Sequence, residues 1–145
     1  TEIVTSVQEG IKIIIVLVDN HGFASIGSLS RSLGQGGFGT RYRARNGATG
    51  QLDGELLTVD FAANARSLGA HALKAGTLDE LREALKEAKT LNRTTVIVVE
   101  TDVSAGVPGY ESWWDVAVAE VSEMESVREA RARYEEARKR ERRHL

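Results

Sequence analysis

The sequence predicts an α/β protein, part of a doubly wound parallel sheet followed by a helical tail. Three observations lead there. The stretches IKIIIVLV (residues 11–18) and TTVIVVE (94–100) are apolar with hardly any alternation, the pattern of strands buried on both faces of a parallel sheet. Between them lie segments whose apolar residues recur at helical spacing. After Asp115 the texture turns to Glu, Arg and Ala, a composition that favours helix.

Taken in order, residues 2–9 carry Ile3, Val4 and Val7 at helical spacing, and Gly10 is a natural stop. The run that follows has six β-branched residues in eight, which marks it as strand. Residues 19–60 form a long, loop-like, ligand-proximal region that holds nine of the fourteen glycines. One or two helical turns fit around Ser25 to Leu33. Phe61 to Leu68 is a short helix, capped by Asp60 and ended by Gly69, and AHALKA (70–75) is a short strand. Thr77 to Leu91 is the clearest helix. Its TLDE is a capping box, with Thr77 at the cap and Glu80 three residues later, and Leu78, Leu81, Leu85 and Ala88 form one stripe.

Strands alternating with helices in this way give parallel pairing through right-handed connections. Three strands make a thin sheet for the class, and TEIVTSVQEG opens as a helix already under way. The expectation is therefore a piece of a longer protein. Residues 1–104 are expected to form the partial α/β domain. Residues 105–145 are expected to form a segment anchored by Tyr110, Trp113 and Trp114 and continuing as helix. Met124, Val127, Ala130, Tyr134 and Ala137 give that helix an imperfect apolar stripe. Its basic end, Arg138 to Arg143, is a solvated terminus suited to the helix dipole.

Composition narrows the function. With 145 residues, 41% hydrophobic and 28% charged, the chain can build one real core. A net charge of −2 provides no overall basic field for nucleic acid. The absence of cysteine excludes thiolate metal sites, thiol nucleophiles and disulfides, and is compatible with a cytoplasmic setting. Ile13 to Val18, the longest apolar stretch, is too short to span a bilayer.

Two stretches carry candidate chemistry. GQGGFG (34–39) fits G-x-G-x-x-G by letter, but the dinucleotide fingerprint must follow a strand directly and open a helix. Here the strand ends at Val18, and TRYRARNG follows. A mobile glycine loop is the better reading, with Arg41, Arg43 and Arg45 alternating near its base, either to meet an anionic group or to line a solvated edge. The second stretch is VLVDNHGF (16–23), where a buried strand ends in Asp19, Asn20, His21 and Gly22. In open α/β sheets ligands sit at the carboxyl ends of strands, and hard cations such as Mg²⁺ take carboxylate, amide and backbone oxygens. The Asn20 side chain and the Gly22 carbonyl either supply two such oxygens or merely build the turn. His21 is a general base, a donor to substrate, or a turn residue.

TEIVTSVQEGIKIIIVLVDNHGF resembles the second half of the thiamine diphosphate–Mg²⁺ motif of thiamine-dependent enzymes. VDFAANARSLGAHALKAGTLDELREALKEAKTLNRTTVIVVETD is similar to the rest of that cofactor-binding domain. GVPGYESWWDVAVAEVSEMESVREAR and NHGFASIGSLSRSLG narrow the likeness to the trihydroxycyclohexane-dione hydrolases of inositol catabolism. The resemblance implies thiamine diphosphate and Mg²⁺ as cofactors. Asn20 and Gly22 would be metal ligands, with Asp19, Asn20, Gly22 and Phe23 at the cofactor and His21 toward the substrate. It implies hydrolytic carbon–carbon cleavage of an inositol-derived cyclic diketone. The partners it implies are the remaining domains of the same enzyme and a second subunit, in a homodimer or homotetramer.

The Gly-Asp-Gly half of the motif and the activating glutamate are not in these residues. The chain alone is therefore expected neither to turn over substrate nor to bind the cofactor tightly. Two other readings stay open: a lyase of the acetolactate synthase type, and a non-catalytic α/β module that pairs through its tail.

Overall fold

The structure, a computed structural model, describes residues 2–102, 105 and 113–142. The described residues form α1 (Glu2–Gln8), β1 (Ile14–Asp19), α2 (Ala24–Ser32), α3 (Phe61–Ser67), β2 (His71–Ala75), α4 (Leu78–Thr90), β3 (Thr95–Glu100) and α5 (Glu125–Arg138). They group into two compact units, one of Thr1–Asn20 and Thr58–Ala105, the other of His21–Leu57 and Gly106–Leu145.

The first unit is the parallel sheet, in the order β1-β3-β2. Ile14 pairs with Thr95 and Asp19 with Glu100, and His71 pairs with Thr95 from the other side. The central position goes to β3, whose Val96 and Ile97 are almost fully buried. On one face Ala62 and Ala65 of α3 pack with Ala70, Val96 and Val98, joined by Ile3, Ile15 and Leu17. On the other, Ala84 and Ala88 of α4 pack with Ala75 and Ile97, joined by Ile14, Leu73, Leu81, Leu85 and Val99. Helices on both faces make this a doubly wound α/β sheet.

Burial on both faces, expected of both apolar runs, holds for β3 and fails for β1. As an edge strand, β1 leaves Val16 42% and Val18 59% exposed. Its carboxyl end is nonetheless held firmly. The Thr101 N–H and hydroxyl both donate to the Asp19 carbonyl, at 2.9 and 3.0 Å.

The helix signals are realised locally. The Asp60 carboxylate accepts from the Ala63 N–H at 2.9 Å, and its pKa is lowered chiefly by that bond. The Thr77 hydroxyl accepts from the Glu80 N–H at 3.2 Å. The Glu80 carboxylate reaches one residue further back than a strict capping box, to the Gly76 N–H at 2.7 Å.

The second unit is built round α2, the segment 40–57 and the tail. Val118, Val127, Ala130 and Tyr134 are buried together, with Leu33 against them. The expected helix from Asp115 onward begins only at Glu125. The Met124 N–H bonds the Ser122 hydroxyl at 3.1 Å, and the Arg128 guanidinium donates to the carbonyls of Ser122 and Glu123. Those bonds settle the entry turn, and Val118 reaches the core from an irregular approach. Trp114 is 71% exposed, whereas Trp113, 45% exposed, lies with its ring against that of Tyr134 at 6.3 Å between centroids. The buried part of the anchor is Val118 and Tyr134, whose hydroxyl donates to Asp115 at 2.8 Å. Tyr110 lies outside the described residues. The stripe Val127, Ala130, Tyr134 is spent on this internal packing, which removes the argument for pairing through the tail.

Candidate functional site

The boundary between the units falls after Asn20, so Asp19 and Asn20 close the first and His21, Gly22 and Phe23 open the second. Asp19 ends β1 in register with Glu100, and Asn20 follows it, half-buried, at the carboxyl end of the strand. Among the described residues no group of three or more His, Asp or Glu is arranged to hold a metal.

In the second unit, residues 21–23 run antiparallel to 40–42. The Phe23 N–H donates to the Thr40 carbonyl at 2.8 Å, and the Tyr42 N–H donates to the His21 carbonyl at 3.0 Å. Gly22 and Arg41 are thus a non-hydrogen-bonded pair, and the Gly22 carbonyl faces away from the ladder. That orientation fits a backbone oxygen offered to a cation. The Asn20 amide in the first unit and the Gly22 carbonyl in the second are each oxygen donors of the hard kind that Mg²⁺ accepts.

Glycine is required at position 22. Its φ is +155°, and a Cβ would lie 2.8 Å from the Arg41 Cα and closer still to the Thr40 carbonyl oxygen. Next to it, His21 holds a φ of +57°, a left-handed conformation that costs a non-glycine residue about 1–2 kcal/mol. The ladder bond to Tyr42 helps impose it. Phe23, more than half exposed, meets the Tyr42 ring edge-on at 6.2 Å between centroids.

Thr40 organises this region although no sequence motif marks it. Its carbonyl takes the Phe23 N–H, its hydroxyl donates to the Gly37 carbonyl at 2.5 Å, and its N–H donates to the same carbonyl at 3.1 Å. The glycine loop is therefore pinned at Gly37, where φ is +71°. Of the three alternating arginines, Arg41 and Arg43 line one concavity with that loop. Arg45 is turned to the Gly50 carbonyl instead.

The thiamine pyrophosphate enzyme family, through its C-terminal TPP-binding domain, matches residues 1–99. The chain belongs to this family. Relatives in the family include 3D-(3,5/4)-trihydroxycyclohexane-1,2-dione hydrolase 1 of Bacillus cereus (strain ZK / E33L), 45% identical over 130 residues. The enzyme of that name in Geobacillus thermodenitrificans (strain NG80-2) is likewise 45% identical, and that of Clostridium tetani (strain Massachusetts / E88) 42%. Each alignment takes in 90% of this chain and 20% of the relative, so the chain spans about a fifth of their length. No solved structure is significantly similar. Within the thiamine pyrophosphate family, the parallel sheet of the first unit is the cofactor-binding domain's α/β core, and Asn20 stands at its strand end.

Proposed function

We propose that the chain contributes the closing half of a thiamine diphosphate–Mg²⁺ site. The enzyme it serves hydrolyses a carbon–carbon bond of trihydroxycyclohexane-1,2-dione, a cyclic diketone derived from inositol. Asn20 ligates Mg²⁺ through its side-chain oxygen and Gly22 through its backbone oxygen. Asp19 and Phe23 flank the cofactor, and His21 serves the substrate side. When bound, the cofactor supplies a nucleophilic carbon for a carbonyl group, chemistry that no side chain here offers. The observation that carries the reading is the Gly22–Arg41 pairing, which turns a fixed carbonyl oxygen outward three residues after Asp19, the last residue of β1. The names of the relatives support the hydrolase over an acetolactate synthase-like lyase. Further domains and a second subunit complete the site, in a homodimer or homotetramer. The cysteine-free composition suits a cytoplasmic enzyme, and among the described residues no helix is long and apolar enough to cross a membrane.

The test uses the enzyme encoded by the full reading frame that carries this chain. It should open the diketone ring and leave pyruvate untouched. Asn20→Ala should lower activity at limiting Mg²⁺ by at least about 100-fold, the scale on which metal-site residues act. An Asn20→Ala enzyme with unchanged Mg²⁺ dependence would refute the ligand role. Calorimetry on the 145-residue chain should find no tight thiamine diphosphate–Mg²⁺ binding, and tight binding would contradict a half-site.

A further inference from the structure

We propose that the arginine-walled cavity next to Gly22 binds the carboxylate of the ring-opened product. The inference rests on the hydrolase reading above. The cavity measures about 430 Å³ and lies wholly within the second unit, a size that accepts a six-carbon acid. Its walls are Arg31 from α2, the pinned loop around Gly37 and Phe38, and Arg41 and Arg43 from the segment opposite residues 21–23. The Arg43 N–H donates to the Arg41 carbonyl at 2.9 Å, a tight turn at Tyr42, and both arginines line the cavity. Arg41 is also the residue paired with Gly22, which ties the cavity to the proposed metal ligand.

The charge balance of the wall is what points to an anion. Among the described residues no carboxylate pairs with Arg31, Arg41 or Arg43. By contrast, Arg82, Arg128, Arg131 and Arg133 each lie within 4.0 Å of a carboxylate on their own helix. The wall's single acid, Asp53, accepts from the Thr49 hydroxyl at 3.1 and 3.4 Å. Arg43 is held by a 2.8 Å bond to the Gly54 carbonyl, which uses one of its five donors and orients the rest. Three arginines and one acid leave the cavity's lining with a net positive charge. Planar guanidinium groups pair two-to-two with carboxylate oxygens.

The reaction supplies such an anion. Hydrolysis of the bond between two adjacent ring carbonyl carbons puts the water hydroxyl on one carbon, making a carboxylic acid. The remaining hydrogen goes to the other carbon, making an aldehyde. One carbon–carbon bond breaks, the ring opens, and no oxidant is needed. The diketone is uncharged and the product ionises at neutral pH, so an arginine wall distinguishes product from substrate. The cofactor's diphosphate is the other oxyanion in this reading, and the test separates the two.

The full-length enzyme, without added cofactor, is titrated calorimetrically with three probes. They are D-glucuronate (a six-carbon aldehydo-acid), D-glucose as its uncharged counterpart, and inorganic diphosphate. Glucuronate should bind saturably in the millimolar range and glucose should not. Arg41→Gln with Arg43→Gln should weaken glucuronate by at least about tenfold, with the circular dichroism spectrum unchanged. Equal binding of glucose, or an unchanged glucuronate affinity in the double variant, overturns the proposal. So does an arginine-dependent site that takes diphosphate and ignores glucuronate. Intact ring cleavage without glucuronate binding overturns this proposal alone. Glucuronate binding through Arg41 and Arg43 in an enzyme that does not cleave the ring refutes the hydrolase reading instead, and supports carboxylate binding.

Discussion

Replacing Gly22 with alanine should make the pairing of residues 21–23 with 40–42 open about a hundredfold more readily. The added Cβ would lie 2.8 Å from the Arg41 Cα and 3.1 Å from the Thr40 carbonyl carbon. These are backbone atoms, so no side-chain rotation relieves the overlap. The two segments must part, and the bonds from Phe23 N–H to Thr40 and from Tyr42 N–H to His21 stretch or break. Each such bond contributes about 1 kcal/mol net, and residual backbone strain adds about 1 kcal/mol. The sum, about 3 kcal/mol, is roughly a hundredfold in an equilibrium constant. Amide hydrogen exchange at Phe23 and Tyr42 reads this opening directly. Gly47→Ala is the control, because a Cβ there meets nothing within 4 Å. If exchange at both amides changed by less than about threefold in Gly22→Ala, the close-approach argument would be wrong.

Ile97→Ala, at a fully buried position of β3, should cost about 3 kcal/mol and lower the melting temperature by roughly 6–12 °C. Val18→Ala on the exposed edge strand should cost less than about 1 kcal/mol, and equal losses at the two positions would contradict the strand order. Thr77→Ala should remove about 1 kcal/mol by uncapping α4, with Thr77→Ser restoring most of it in thermal melts. The Tyr134 pKa is raised above the ordinary value of 10.0, first by its hydrogen bond to Asp115 and next by burial. Its stabilising contribution is therefore complete below pH 10.0 and lost as pH rises through the folded value. Unfolding of Tyr134→Phe, followed across that range, should depend less steeply on pH than the parent.

What the sequence made legible was whatever local chemistry decides. The Thr77 and Asp60 caps, the stop at Gly69 and the uninterrupted apolar run of β3 are each written in a few neighbouring residues, and all appear where expected. The order β1-β3-β2 is not written locally. An edge strand and a central strand can carry the same apolar letters, which is why β1 reads as buried and is half exposed. The tail shows the same limit. Helix-forming letters begin well before Glu125, but Val118 gains more by packing against Tyr134 than by joining a helix. Of the Trp113–Trp114 pair, conspicuous in the sequence, Trp114 stays largely in solvent. At the candidate site Gly22 was visible as a turn residue. The close backbone approach that demands glycine depends on Thr40 and Arg41, far along the chain.

The central place of β3 also sets an order of events during synthesis. The Ile13 N–H reaches the Thr94 hydroxyl across 81 positions, and neither β1 nor β2 has its ladder partner until the chain has been made through Glu100. Until then β1 and β2 each lack the β3 edge they pair with, and pairing so distant in sequence is slow. The nascent chain is most exposed to chaperones, or to another nascent chain's strand edge, in the interval before TTVIVVE leaves the ribosome.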